Sequence, residues 1–529
     1  MRRNLLLSVC FLMASVLFAG PVTKQQAQEM AAQFLAGKSI THRASSASQM
    51  HIKVVMNAVD EAGQPYLYAV QPDNQRGFVI VSGSDLTSSI IGYSDEGTFD
   101  LQDMPENLRS WLQSYIDQIK WMEKNHINAA TNTVRRATAV KSSVSPLLST
   151  LWDQNAPYNN MTPLYDGVNH AATGCVATAM AQVMNYHKWP AATTTAMEGY
   201  TSSKYGKKVD AVLANTTIDW NNMIDDYRSS YTSKQGTAVA NLMIYCGTSV
   251  KMDYGEESGA SSAMAVQSMK DFFYYDASAR FIYRSGYSYQ EWIEILYNEI
   301  AESRPVLFSG SSTTGGHAFI VDGYDDEDFF HINWGWGGKS NGMYKVSLMN
   351  PEEQGIGGSS TNAAYTMSQA MGIGIKPNAG GSPITEPAVL TISAISLVQD
   401  NGHTDEPTAS SPLYGDGYQI IPRMTVTNAT GRSYTFDYGI RVTKDDNSFT
   451  HDFIWKEAAS IGAGSGFWTY KDFMLAPNVY SGLTDGSYKL VCISKEHGAD
   501  EWQVDEGSEY NYITFTQLIS ICLSRWMTS

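Results

Sequence analysis

One cysteine stands where a helix should begin. In H-A-A-T-G-C-V-A-T-A-M-A-Q-V-M-N-Y-H-K-W-P, residues 170–190, the apolar spacing turns helical just after Gly174, which puts Cys175 at a helix N-terminus. Unpaired N–H groups and the positive end of the macrodipole there favour thiolate over thiol, the condition for a sulfur nucleophile. Ala177 and Ala179 keep this helix slim. A lone cysteine is more commonly a small buried hydrophobe, so the reading turns on whether a base accompanies it. In G-G-H-A-F-I-V-D-G-Y, residues 315–324, His317 opens an apolar strand directly after two glycines, leaving room for a substrate. Asn333 follows sixteen residues later in H-I-N-W-G-W-G-G, and a hairpin through residues 325–328 would bring it back beside His317. An imidazole so placed can hold the thiolate, protonate a leaving amine and then activate water, while an amide side chain orients the ring. His170, His187 and His331 are the competing bases, and His170, five residues before Cys175, is the hardest of them to exclude.

The order Cys, His, Asn is that of papain. The segments H-A-A-T-G-C-V-A-T-A, M-D-Y-G, G-G-H-A-F and H-I-N-W-G-W-G-G resemble those of the streptopain family, secreted bacterial cysteine peptidases of the papain superfamily. The resemblance covers residues 146–376 and extends more weakly over the preceding unit. It implies that Cys175 is the nucleophile and His317 the general base, and that Trp334 lies near the imidazole, sharing with Asn333 the orienting and shielding role. Gln154, in W-D-Q-N-A-P-Y-N, is similar to the family's upstream glutamine, which implies an oxyanion donor beside the Cys175 N–H. The family's substrate-contacting segment corresponds to D-Y-G-E-E-S-G-A, implying Ser258, Ala260 and the backbone at Gly316 as substrate-binding groups. Glu256, Glu257 and Ala260 depart from streptopain at this place, so its subsite preference does not carry over. The W-G-W-G-G glycines and G-I-G-G-S-S, residues 355–360, read equally as a mobile rim over the cleft or as plain solvent loops.

Positioning these groups takes more than one folding unit, and 529 residues exceed what a single core organises. Residues 1–20 carry Arg2 and Arg3, an apolar run of about 14 residues, then Ala19 and Gly20, the pattern of a cleaved secretory signal. Such a run falls short of the roughly 20 residues that cross a bilayer, so no membrane span is expected after its removal. Cys10 lies inside the run rather than at its end, which argues against a lipid-modified terminus. Residues 21–140 read as a small α+β unit followed by a linker. Thr23 caps a first helix, strands follow near residues 51–57, 66–70 and 78–81, and a helix opened by Pro105 presents Leu108, Trp111, Leu112, Tyr115, Ile116 and Ile119 on one face. The polar stretch 125–145, with Arg135, Arg136 and Lys141, reads as an exposed segment that a protease could cut. Residues 141–376 form the papain-like domain, in which Ser288 and Glu291 make a capping box. The Gly- and Pro-rich residues 377–387 are a linker, and period-two runs across 388–529 predict an antiparallel, Ig-like β-sandwich. The fold class is therefore α+β, with a papain-like catalytic domain between an inhibitory prodomain and a β-sandwich.

Composition narrows the partners. With 43% hydrophobic and 17% charged residues the chain should fold as a globular protein. Its 36 basic and 53 acidic residues give a net charge of −17, which repels phosphate backbones and excludes nucleic acid as a partner. Cys175, Cys246, Cys492 and Cys522 allow at most one or two bridges. No phosphate-binding loop, zinc spacing or calcium loop occurs, so neither cofactor nor metal is implied, and Asp322, Asp325, Asp326 and Asp328 read as a hairpin tip. The expected activity is that of a secreted or periplasmic cysteine endopeptidase, acting on protein and peptide substrates and held latent by its own prodomain. Two other readings stand beside it. A papain-fold acyltransferase such as a transglutaminase would differ in product mass, since its thioester passes to an amine instead of water. A non-enzymatic secreted binding or adhesion protein would have no need to retain Cys175, His317 and Gln154 together.

Overall fold

The computed structural model describes residues 20–38, 50–73, 76–124, 142–284, 289–312, 315–348 and 369–379, and, with gaps, residues 390–518. Residues 1–19 of the expected signal, the linker at 125–141, Ser288, residues 355–360, residues 380–387 and Cys522 lie outside the described residues.

Helix α1, Lys24–Gly37, starts at Thr23, whose hydroxyl accepts from the Gln26 N–H while the Gln26 amide oxygen accepts from the Thr23 N–H at 2.8 Å. An antiparallel meander follows: β1 (Met50–Val54), β2 (Leu67–Pro72), β3 (Phe78–Ser82) and β4 (Ile90–Ser94). Helix α2, Glu106–Lys124, buries the stripe of Leu108, Trp111, Leu112, Tyr115, Ile116 and Ile119 that its sequence period predicts. The next segment supplies α3 (Cys175–His187), the short β5 (Tyr200–Thr201) and β6 (Lys208–Val209), α4 (Ser233–Ser249), α5 (Ser262–Phe273), β7 (Arg280–Tyr283) and α6 (Tyr289–Ala301). It closes with β8 (Val306–Ser312), β9 (Gly315–Tyr324), β10 (Phe330–Asn333), β11 (Gly342–Tyr344) and β12 (Ala370–Ile373).

The two segments share one sheet of ten strands in the order β1-β2-β3-β4-β11-β10-β9-β8-β12-β7. The join is β4 on β11, where Met343 pairs with Tyr93 and Tyr344 with Gly92. Gly92 is required there, because a Cβ would stand 2.6 Å from the Tyr344 ring. Strand β9 shows how the sheet divides the core. Ala318 and Ile320 enter a cluster with Val176 and Met180 of α3 and Met243 of α4, whereas Phe319 and Val321 enter one with Trp111 of α2 and Trp292 of α6. Helices thus cover both faces, and Cys175 and His317 lie on a helix end and a strand of this arrangement.

The C-terminal segment is all β: β13 (Leu390–Val398), β14 (Leu413–Tyr414), β15 (Tyr418–Asn428), β16 (Tyr434–Lys444), β17 (Thr450–Ile461), β18 (Gly466–Tyr470), β19 (Phe473–Leu475), β20 (Gly486–Glu496), β21 (Gln503–Val504) and β22 (Tyr512–Leu518). They form a four-stranded and a six-stranded sheet. Leu390, Met424 and Val426 of the first pack with Phe436, Ile440 and Leu490 of the second in one buried cluster, the arrangement of a sandwich. The mixed α+β class and the antiparallel sandwich agree with the reading of the sequence.

Candidate active site

Cys175 opens α3, as its spacing predicts. Gly174 enters the helix at φ 85°, a left-handed value, and a Cβ there would meet the Met252 thioether at 2.6 Å and the Ser258 carbonyl oxygen at 3.2 Å. Glycine is therefore needed twice over, for backbone and for space. The Thr178 hydroxyl, one turn into α3, donates to the Gly174 carbonyl at 3.0 Å, and the Thr173 and Thr178 hydroxyls lie 2.8 Å apart. The Thr173 N–H donates to the Gln154 carbonyl at 3.1 Å, which ties Gln154 beside the approach to Cys175. The Ser258 hydroxyl accepts from the Gly255 N–H at 3.1 Å and so closes the turn that carries it. Ala260 packs, partly buried, against the core that holds α3. Gly316 is exposed, with open space where a side chain would project.

Strand β9 crosses the nucleophile. The Ala318 N–H points at the Cys175 sulfur at 3.4 Å. Its neighbour His317 is partly buried, and its Nε2 has no hydrogen-bond partner among the described residues. Burial lowers the His317 pKa, against the pull of Glu106 and Glu257. Burial likewise raises the Cys175 pKa, against the N–H groups of Ala318, Val176 and Cys175 itself. The helix N-terminus was expected to favour thiolate; in this arrangement desolvation outweighs it, and sulfur and imidazole are both held towards their neutral forms.

Asn333 does not reach His317. On the β9–β10 ladder Asn333 faces Ile320, three residues from His317 and about 10 Å along the strand, even though the bulge between His331 and Ile332 moves it one position towards His317. Its amide nitrogen donates to the Thr150 carbonyl at 2.8 Å and its oxygen accepts from the Gly335 N–H at 3.1 Å. Trp334 is fully buried, its indole donating to the Ser340 carbonyl at 3.0 Å and its ring packed against Phe319, Tyr344 and Trp111. The Trp334 carbonyl accepts from the Asn107 amide at 2.6 Å. Asn107 and Glu106, at the start of α2, were not singled out in the sequence; only the apolar face of their helix was legible there.

The rival histidines are engaged elsewhere. His170 Nδ1 lies 2.5 Å from the Thr162 carbonyl. His187 Nδ1 lies 3.1 Å from the Tyr275 hydroxyl, and burial lowers its pKa to about 4. His331 Nδ1 lies 2.6 Å from the Asp322 carboxylate. Asp322 corrects the reading of the acidic run as a hairpin tip: it is fully buried within β9 and also accepts from the Leu148 N–H at 2.7 Å. Asp325 is buried too, accepting from Lys38 at 2.7 Å, Tyr93 at 2.8 Å and the Glu327 and Phe329 N–H groups. Among the described residues no cluster suits a metal ion, and no helix is long and apolar enough to cross a membrane.

Residues 152–344 match the Peptidase C10 family, and residues 19–119 match the Spi protease inhibitor family. Over 80% of its length the chain is 32% identical to the thiol protease/hemagglutinin PrtT of Porphyromonas gingivalis, and it spans half the length of that protein. Streptopain of Streptococcus pyogenes is 34% identical over 69% of this chain and 96% of its own length. A fragment of Prevotella intermedia prointerpain A superposes over its whole length and 63% of this chain, with a TM-score of 0.52 and 28% identity. With 34% identity spanning 96% of streptopain, the chain belongs to the streptopain, or C10, family of cysteine peptidases and carries the family's inhibitor-like segment ahead of its peptidase segment.

Proposed function

We propose that this protein is a secreted cysteine endopeptidase made as a latent precursor, with a signal over residues 1–20, an inhibitory prodomain and cleavable linker over 21–140, the peptidase over 141–376 and a β-sandwich appendage from 388. The observation that carries the reading is the Ala318 N–H on the Cys175 sulfur at 3.4 Å, because it sets the strand bearing His317 against the helix bearing the thiol. The Cys175 thiolate attacks the peptide carbonyl. The oxyanion rests between the Cys175 N–H and the Gln154 amide, whose segment the Thr173 bond fixes. The His317 imidazolium then protonates the amine as the C–N bond breaks, leaving a thioester that His317-activated water hydrolyses. Asn333 supports the site through Thr150, at the head of the segment that leads to Gln154, and Trp334 shields it. Ser258, Ala260 and the Gly316 backbone border the substrate.

Latency follows from the same geometry. With α2 packed against β9 and Glu106 at its start acting on both groups, burial holds the thiol and the imidazole towards their neutral forms, and removing α2 would hydrate them and allow the thiolate–imidazolium pair. An intact-mass time course of the purified precursor, with and without iodoacetamide, tests the reading. The expected result is thiol-dependent trimming within residues 125–145 and concurrent peptide hydrolysis; hydrolysis that survives complete alkylation of Cys175 overturns it.

A further inference from the structure

A cavity of about 440 Å³ is lined by Asn155, Asn159, Asn169, His170, Ala172 and Glu256 among others. Its walls come from the segments that frame the proposed oxyanion site. Asn155 follows Gln154, Ala172 lies three residues before Cys175, and Glu256 belongs to the turn whose Ser258 carbonyl sits 3.2 Å from a would-be Gly174 Cβ. The residue on the acyl side of a carbonyl held between Gln154 and the Cys175 N–H would extend its side chain from the adjoining Cα towards these segments.

The polar groups of the cavity are amides, a phenol hydroxyl, an imidazole and one carboxylate. The Asn155 amide nitrogen donates to Asp153 at 3.1 Å, that of Asn159 to the His170 carbonyl at 3.3 Å and that of Asn169 to Asp166 at 2.7 Å. His170 Nδ1 faces the Thr162 carbonyl at 2.5 Å, and a carbonyl only accepts, so Nδ1 carries a proton. Each of these amides keeps a second N–H as well as its oxygen, so the neutral lining can both donate and accept, and selection by charge falls to Glu256. Glu256 adds an exposed carboxylate with no ion-pair partner among the described residues. The nearby cation Lys204 lies over the Tyr205 ring and faces Glu257 and Asp253 instead.

We propose that this cavity receives the residue on the acyl side of the cut bond and selects lysine or arginine, with Glu256 as the specificity-determining residue. The inference rests on the peptidase reading and adds the substrate class. An ammonium or guanidinium would meet the opposite charge of Glu256 and the amide oxygens, whereas a carboxylate would meet a like charge. The chain itself offers Arg135, Arg136 and Lys141 between its inhibitor-like and peptidase segments.

The test uses the thiol-activated full chain and fluorogenic peptides that differ only at that residue: Arg, Lys, Ala, Leu or Glu. Arg and Lys peptides are expected to exceed the Ala peptide in kcat/KM by about two- to fivefold, the scale of one partly exposed charge pair. Glu256→Gln should narrow the Arg-to-Ala ratio, and Glu256→Lys should raise the Glu peptide relative to the Arg peptide. Peptides cut without basic preference, or a preference that both variants retain, overturn the assignment while the peptidase reading stands. If no peptide is cut and Cys175 resists iodoacetamide in the trimmed protein, the peptidase reading fails and this one fails with it.

Discussion

The Asn107 amide donates to the Trp334 carbonyl at 2.6 Å, so the first turn of the inhibitor-like helix is bonded to the residue that immediately follows β10. Both ends of that bond are buried. The backbone of the peptidase segment and the side chain of the inhibitor segment are therefore one packed unit at this point.

Replacing the nucleophile separates chemistry from packing. Cys175→Ala should abolish hydrolysis with little change in thermal stability, since one small residue replaces another at a helix start. His317→Ala should be nearly as damaging, whereas His170→Ala should leave far more activity, because His170 is tied to Thr162. Steady-state kinetics on trimmed protein decide; equal and small losses at the two histidines would require another base.

Gln154→Ala should lower kcat by about 10²–10³ with little effect on KM, because its amide is proposed to meet charge that develops only in the tetrahedral intermediate. A change confined to KM contradicts the role.

Asn333→Ala distinguishes two ways of supporting the site. The substitution strips the buried Thr150 carbonyl of its donor at a cost of about 1–3 kcal/mol, visible as a lower Tm. If Asn333 acts through the segment leading to Gln154, the double variant with Gln154→Ala should be little slower than Gln154→Ala alone. Multiplicative losses and a shifted pH profile would instead place its effect on His317.

Asp325 joins Lys38 and Tyr93 of the inhibitor segment to the β9–β10 hairpin. Burial pushes its carboxyl up, but Lys38, the Phe329 and Glu327 N–H groups and Tyr93 more than offset this and hold it below the usual carboxylate range. A depressed folded pKa contributes stability that is present above the ordinary aspartate value of about 4 and is lost as pH falls through the lower folded value. The contact should therefore hold unchanged from pH 5 to 8 and weaken only below about pH 4. Asp325→Asn removes the charge opposite Lys38 and should speed trimming of the precursor at neutral pH. Trimming at the wild-type rate, read by intact mass, would show that this contact does not restrain the inhibitor.

Local signals carried much of this architecture. The Thr23 cap, the helix after Pro105 and the helical turn at Cys175 each follow from a few adjacent residues. The hairpin between His317 and Asn333 was also legible, but its register was not. One bulge at His331 moves every later residue by one position, and no turn residue announces it. The pairing of β4 with β11 joins residues about 250 apart, beyond the range of any local pattern. The same distance hid Asp325, whose partners Lys38 and Tyr93 lie far upstream in the chain.

The shared ten-stranded sheet has a consequence for life after activation. If the proposed cut within residues 125–145 occurs, the β4–β11 ladder and the α2 contacts stay in place, so activity should lag behind cleavage until the inhibitor segment departs. Once it leaves, β11 becomes a bare edge able to recruit a foreign strand. That edge is only the three residues Gly342–Tyr344, followed at once by Lys345, and both its brevity and the adjoining charge discourage the freed enzyme from aggregating through it.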